Sequence, residues 1–260
     1  MTKDQWVSFC SFRNDFKKQC LLWEKKAQTL GLPLLQSSAA AKDGVPYYPV
    51  ENPVVYNTAL DELSESDSIK LIVIGDNPGK SEQLSKHRKY LVGLSGKIAE
   101  GFFKKNPELY IDFRKNVIIL NKTPVHTAKT KELKLLSESG GSEVKKLIEE
   151  SQIWMAKNTA LLHKKLGCPL WLVGYAELKG KGLFSLYRET LLNSYRKERL
   201  SGVSEEHETC FNRVYVFQHF SMNRFTIDLF SNTDASLPLA SLLEQKGTLH
   251  RKEIFYEQEI

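Results

Sequence analysis

The chain has 260 residues and a mass of 29.7 kDa, which suits one large domain or two small ones with a substantial core. Its net charge of +6 comes from 37 lysine and arginine residues against 31 aspartate and glutamate residues, a balance that favours a polyanionic partner without requiring one. No apolar run approaches the roughly 18 residues of a membrane helix, so a membrane-spanning protein is excluded.

The N-terminal residues have scattered charges and no apolar stretch, so we expect no secretory signal peptide. The four cysteines are too few and too dispersed for a disulfide scaffold. We therefore expect reduced thiols and a cytoplasmic protein.

An apolar stripe near the N-terminus predicts one long amphipathic helix over about residues 3–30. Gly31 and Pro33 are expected to end it. Residues 35–66 are rich in serine, alanine, proline and asparagine and are predicted to be irregular, with at most short elements. The stripe consists of residues spaced by three or four: Trp6, Phe9, Phe12, Phe16, Cys20, Trp23, Ala27 and Leu30.

Four short, β-branched apolar runs predict buried strands, and helical segments separate them. Their alternation, without an internal repeat, predicts one domain over residues 1–260. We expect an α/β fold, a three-layer α/β/α sandwich around a mainly parallel four-stranded sheet, plus the extra N-terminal helix. The predicted strands are residues 70–74, 116–121, 170–174 and 213–219. One predicted helix begins after the first strand, is capped by Ser95 and has Ile98, Ala99, Phe102 and Phe103 facing inward. The other predicted helices are residues 151–166, 183–199 and 237–245.

Polar residues lie at the ends of three of the predicted strands. They are the segment 75–79 after the first strand, and Asn121 and His219 as the last residues of the second and fourth predicted strands. Because ligands bind at the carboxyl ends of parallel strands, these residues predict a site at that edge of the sheet. Two basic segments, residues 80–90 and 179–199, either neutralise phosphates there or form solvated faces.

The segment Gly75-Asp76-Asn77-Pro78-Gly79-Lys80-Ser81 also has features of a phosphate-binding P-loop. That motif needs four residues between its first glycine and the Gly-Lys-Ser, and here there are three. Pro78 also removes one amide donor. A nucleotide-binding α/β protein that uses this loop stays as an alternative.

The same segment resembles the first motif of the uracil-DNA glycosylase superfamily, Gly-x-(Asp or Asn)-Pro-(Tyr or Gly). Residues 91–96, Leu-Val-Gly-Leu-Ser-Gly, resemble the family's Phe-Val-Gly-x-(Ser or Ala)-Gly stretch. Residues 117–121 resemble the strand that ends in the uracil-reading asparagine, and residues 172–176 resemble the third strand. His219-Phe220-Ser221 resembles the His-Pro-Ser motif, with phenylalanine in place of proline. The matches span about residues 70–225, in the family's order.

The resemblance implies catalytic roles for three side chains. His219 would stabilise the negative charge that develops on the departing base. Asn77 would orient the attacking water but, as an amide, cannot take its proton. Asp76 is a further candidate catalyst, although neighbouring side chains at a strand end usually diverge. His219 can alternatively be a structural histidine at a strand end.

The resemblance also implies a base pocket. Asn121 would read the Watson–Crick edge of uracil, or else form a turn after its strand. The family's base-stacking aromatic aligns with Leu91, so either Tyr90 stacks through a local shift or the pocket is altered. Gly75, Pro78 and Gly79 complete the predicted base-binding set. Predicted DNA contacts are Lys80, Ser95, Lys122, Ser221, Arg224 and Met222, with Met222 or Phe225 filling the space left by a flipped base.

The sequence therefore predicts a DNA repair glycosylase that flips uracil, or a related deaminated base, out of DNA and hydrolyses its N-glycosidic bond. We expect a monomer that acts without cofactor or metal, in the cytoplasm or wherever the DNA lies. Two alternatives besides the nucleotide-binding protein stay open: a superfamily member that binds nucleic acid without cleaving uracil or acts on another base, and an α/β interaction domain without a small-molecule site.

Overall fold

A computed structural model describes residues 1–196, 210–232, 234 and 236–255 of the chain. A central sheet of four strands is flanked by helices, as predicted. The strands are β1 (Leu71–Gly75), β2 (Val117–Asn121), β3 (Leu170–Val173) and β4 (Val214–Phe217). The helices are α1 (Lys3–Thr29), α2 (Leu32–Lys42), α3 (Leu94–Lys105), α4 (Glu132–Ser139), α5 (Gly141–Leu166), α6 (Tyr175–Leu178), α7 (Ser185–Arg196), α8 (Arg224–Leu229) and α9 (Leu239–Phe255).

The strands are ordered β2-β1-β3-β4, and every pair of neighbours is parallel. Their residues are almost all buried, which explains the continuous apolar runs in the sequence. From β1 the chain moves outward to β2 and then returns across the sheet to β3. The direction therefore reverses between β1 and β3, and in parallel α/β sheets such a reversal opens a crevice at the carboxyl ends of the two strands.

One face of the sheet is covered by α3, α8 and α9. The Trp171 ring of β3 lies 5.5 Å from the ring of Phe103 in α3 and 5.6 Å from the ring of Phe225 in α8. Tyr215 of β4 is in register with Trp171 and packs against Gly247 of α9, where an added Cβ would lie only 2.6 Å from the Tyr215 Cβ. This close approach places α9 directly on β4.

The opposite face belongs to α5 and α7, because right-handed crossovers from β2 to β3 and from β3 to β4 put their helices on that side. The N-terminal helix α1 packs onto α5. The ring of Trp154 in α5 lies 5.6 Å from that of Phe16 and 5.9 Å from that of Trp23. The predicted aromatic stripe is therefore core, and α1 belongs to the same hydrophobic cluster as the sheet.

Several predicted boundaries were wrong. An irregular stretch was predicted from residue 35, but α2 extends from Leu32 to Lys42, with Pro33 in its first turn, where proline is tolerated. Gly93, not Ser95, caps α3, and it does so without a side-chain hydrogen bond. Helix α5 starts at Gly141, ten residues before its predicted start, and α9 continues to Phe255, so residues 247–255 are helical instead of a tail. The predicted basic helix is α7, and residues 197–199 lie outside the described residues.

Within the described ranges, no helix combines the length and apolar character needed to cross a membrane.

Candidate functional site

A cavity of about 620 Å³ opens at the carboxyl ends of the strands, where the sequence predicted a site. Its walls come from the loops after β1, β2 and β3, from the segment after β4 and from the start of α3. Many of the predicted site residues line it, together with residues that the sequence did not single out. The lining residues are Asp76, Asn77, Gly79, Glu82, Leu91, Ser95, Asn121, residues 127–131, Gly174, Ala176, Glu177, Gln218, His219, Ser221, Met222 and Arg224.

Asn77 is held in one orientation at the cavity wall. Its Nδ2 donates to Thr127 Oγ1 at 2.8 Å and to the Val125 carbonyl at 3.2 Å. Because both donors of the amide face protein, its Oδ1 is the atom left to accept a hydrogen bond from a ligand or a water. Thr127, which the sequence did not reveal, holds the Asn77 amide in this orientation.

Asp76 forms a buried ion pair beneath the cavity. Lys122 Nζ lies 2.5 Å from Asp76 Oδ1 and donates to the Val173 carbonyl at 2.6 Å. The Lys122 side chain is completely buried, so the prediction that it contacts DNA was wrong: a buried ammonium cannot reach a phosphate. Gly174 accommodates the pair, since it has φ of +96° and a Cβ there would lie 2.3 Å from Asp76 Oδ1.

Glu82 places a second buried carboxyl group at the cavity. It accepts a hydrogen bond from the Gly79 N–H at 3.3 Å, and the Leu91 N–H also stabilises its ionised form. Burial outweighs both bonds and raises the pKa of Glu82 to about 7. The sequence offered no signal for this residue, because a glutamate within a basic, polar loop is normally exposed.

His219 is poised as a neutral hydrogen-bond donor. Burial lowers the pKa of His219 below its usual value, more than the nearby Asp76 carboxylate raises it, and the Lys122 ammonium lowers it further. Its Nδ1 accepts a hydrogen bond from the Ser221 N–H at 3.1 Å. In the neutral ring the proton is therefore on Nε2, which has no partner among the described residues and is free to donate to a ligand.

Asn121 ends β2 with its side chain buried against the neighbouring strand. Its Oδ1 fills the space beside Gly75, where an added Cβ would lie 2.5 Å away. Its Nδ2 is buried without a partner among the described residues. Asn121 itself lines the cavity, and a buried amide donor without an acceptor is costly, so a ligand acceptor that reached this atom would offset that cost.

Of the two neighbouring candidates for a stacking contact, Leu91 lines the cavity and Tyr90 does not. Leu91 lines the cavity in a left-handed conformation with φ of +51°, and Gly96 makes room for its carbonyl. Tyr90 is fully buried and donates its hydroxyl to the Val55 carbonyl at 2.5 Å, so it does not reach the cavity. Tyr90 is therefore not placed to stack on a ligand in this cavity.

The other predicted contacts divide into two groups. Ser95, Ser221, Met222 and Arg224 line the cavity, and Met222 is 76% exposed with φ of +54°. Gly79 lines it as well. Four do not line it: Gly75, which faces Asn121; Pro78, whose carbonyl accepts from His126 Nδ1; Lys80, whose ammonium lies over the Tyr48 ring; and Phe225, which is buried in the core.

The loop after β1 does not have the geometry of a P-loop. No helix starts directly after Ser81; the next helix is α3, which begins at Leu94. The Gly79 N–H, which would donate to a phosphate, is taken by the Glu82 carboxyl group. A carboxyl group in that place disfavours a nucleoside triphosphate.

Comparisons with protein-family models, with curated proteins and with solved structures found no match to this chain. Among the described residues there is no group of three or more histidine, cysteine, aspartate or glutamate side chains placed to hold a metal ion.

Proposed function

We propose that this protein is a DNA glycosylase that hydrolyses the N-glycosidic bond of uracil, or of a related deaminated base, after flipping the nucleotide into the cavity. One observation carries the proposal: the unpartnered Asn121 amide and the neutral His219 ring line the same cavity at the carboxyl edge of the sheet. The order of the sequence motifs, which resembles the uracil-DNA glycosylase superfamily, supports it.

The two side chains match the chemistry of a departing uracil. When the bond between C1′ and N1 breaks, its electron pair stays on the base, and negative charge spreads to the adjacent carbonyl oxygen. A neutral His219 donating through Nε2 would stabilise that charge. Asn121 offers an unpartnered donor through Nδ2, which a carbonyl oxygen on the uracil edge can accept.

The loop after β1 would position the other reactant, a water molecule. Asn77 Oδ1 is free to orient a water whose oxygen forms the new bond to C1′. The water's proton leaves to solvent or to the departed base, so no protein carboxylate has to accept it. Asp76 lines the same cavity, but its carboxylate is neutralised by the Lys122 ammonium, so we assign it no direct role at the sugar.

DNA would approach from the exposed rim. Arg224 is exposed at the rim and is suited to contact phosphate, and the Met222 side chain projects beside it. An exposed apolar side chain at this point can fill the space that a flipped base leaves in the stack.

The test is cleavage of labelled oligonucleotides that contain one uracil, single-stranded and opposite guanine or adenine, with alkali used to reveal abasic sites. We expect wild type to cleave and both His219→Ala and Asn121→Ala to lose about 100-fold or more in rate. His87→Ala is the matched control, since His87 is exposed and does not line the cavity. Absence of cleavage of every uracil substrate by folded wild type would overturn the proposal.

One structural feature favours a second candidate, a member that acts on another base. Leu91 stands where the family stacks an aromatic ring on uracil, and it leaves more room than a ring would. A panel of oligonucleotides with hypoxanthine, xanthine or thymine mispaired with guanine distinguishes the candidates, because His219→Ala should abolish whichever cleavage is present.

A further inference from the structure

We propose that a second groove, formed by α3 and α8 beside the cavity, binds single-stranded DNA that flanks the flipped nucleotide. This inference rests on the proposed function, since it assigns the neighbouring strand of the same substrate. The groove has a volume of about 500 Å³. We call it the α3/α8 groove and define it by Lys97, Ile98, Phe102, Lys105, Asn223 and Phe230.

The groove is continuous with the rim of the cavity. Helix α3 contributes Ser95 to the cavity and then Lys97 and Lys105 to the groove. The segment after β4 does the same, with Met222 and Arg224 in the cavity and Asn223 in the groove. From Ser95 to Lys105 the helix rises about 15 Å, the length of about four nucleotides of one strand.

The positive charge of the groove favours binding of an anion. Lys97 and Lys105 line it, and none of the described residues that line it is acidic. The acidic side chains of the two helices are engaged elsewhere. Glu100 bonds to Lys104 at 2.7 Å and to Arg114 at 3.2 Å, and Asp228 faces His250 at 3.8 Å. The two groove lysines have no ion-pair partner among the described residues, so phosphates would be their partners.

The apolar part of the groove suits a nucleobase. Phe230 is 51% exposed although it is an aromatic residue at the end of a helix, and it lies in the groove with the partly buried Ile98. Proteins that bind single strands combine such exposed rings with cations along the backbone, because every base has a face that stacks. A duplex keeps its bases stacked inside, so it cannot offer one to Phe230. The combination therefore favours a single strand.

The test measures binding of a labelled, uracil-free single-stranded DNA of about 10 nucleotides, and of the same sequence as a duplex, across a salt series. We expect Phe230→Ser to weaken single-strand binding about tenfold and duplex binding less than about twofold. The double change Lys97→Gln/Lys105→Gln should reduce the salt slope of single-strand binding by about 1.4, since each phosphate contact on a single strand contributes about 0.7.

Two controls are matched to these variants. Ile227→Ser changes an exposed apolar residue of α8 that does not line the groove, and Lys104→Gln changes an exposed lysine of α3 that is paired with Glu100. Both should bind like wild type, and thermal unfolding should show all variants folded.

Three results would overturn the inference: equal binding by all variants, equal losses on single strand and duplex, or loss of self-association in the Phe230→Ser variant, which would make the groove an interface between copies. Because the probe contains no uracil, this binding measurement tests the groove alone, and the glycosylase proposal is tested by the cleavage assay. If the protein has no glycosylase activity but the groove variants still weaken single-strand binding, the glycosylase proposal is refuted and the groove inference stands.

Discussion

The Nζ atom of Lys122 lies 2.5 Å from Oδ1 of Asp76, and both side chains are buried at the carboxyl ends of the strands. The same ammonium donates to the carbonyl of Val173. Asp76 follows β1, Lys122 follows β2 and Val173 ends β3, so one lysine connects three strand ends. This connection fixes the floor on which the cavity residues are placed.

Removing the lysine should destabilise the protein strongly. In Lys122→Met the Asp76 carboxylate stays buried without its partner, and we expect the free energy of unfolding to fall by about 3–5 kcal/mol. Urea denaturation followed by circular dichroism measures the change. The double variant Asp76→Asn/Lys122→Met should recover much of the loss, whereas Lys104→Met, an exposed lysine, should change stability by less than about 1 kcal/mol. Equal losses in the single and double variants would contradict this account.

The Glu82 carboxyl group should make stability depend on pH. Its pKa is raised from 4.5 to about 7 in the folded protein, so between these values the folded state holds a proton that the unfolded state has released. Stability therefore falls as pH rises through that window. We expect wild type to lose ~2–3 kcal/mol relative to Glu82→Gln between pH 4.5 and 7.5.

Urea denaturation at a series of pH values checks this expectation. Glu138→Gln, at an exposed position on α4, is the control and should track wild type throughout. A constant difference between wild type and Glu82→Gln across the window would show that the carboxyl group is not protonated in the folded state.

The ring of His219 should be neutral at pH 6.5, with its proton on Nε2. Burial lowers the pKa of His219, so its contribution to stability is present above the unfolded pKa of about 6.5 and is lost as pH falls through the lower folded pKa. Nitrogen chemical shifts from protein labelled at histidine report both charge and tautomer, and His219→Gln identifies the signal. A charged ring at pH 6.5, or a proton on Nδ1, would remove the basis for its role as a neutral donor.

Two glycines of α3 should respond in opposite directions to alanine. At Gly96 an added Cβ would lie 1.5 Å from the Leu91 carbonyl oxygen, so the backbone that shapes the cavity must move. We expect Gly96→Ala to cost about 3 kcal/mol. At Gly101 nothing lies within 4 Å of the added atom, and Gly101→Ala should gain about 0.5–1 kcal/mol. Thermal unfolding of the pair distinguishes them, and similar values for both would refute the close approach.

Most of the fold could be predicted from the sequence, because the pattern of buried residues and the secondary structure agree in this chain. Runs such as residues 117–121 are apolar throughout, since a strand covered on both faces has no solvent side. The helix boundaries were harder to predict. The charged first turns of α5 carry few apolar residues, and Pro33 is compatible with both the end of one helix and the start of the next.

The sequence by itself determined the parallel sheet, the edge at which the cavity lies and the positions of Asn77, Asn121 and His219 around it. Only the tertiary structure decided the roles of Tyr90, Lys122 and Glu82. Each is polar and lies in a segment that looks exposed, but each is buried by residues distant in the chain. Burial of a polar group depends on the partner that satisfies it, and such partners are brought together by the fold and not by local sequence.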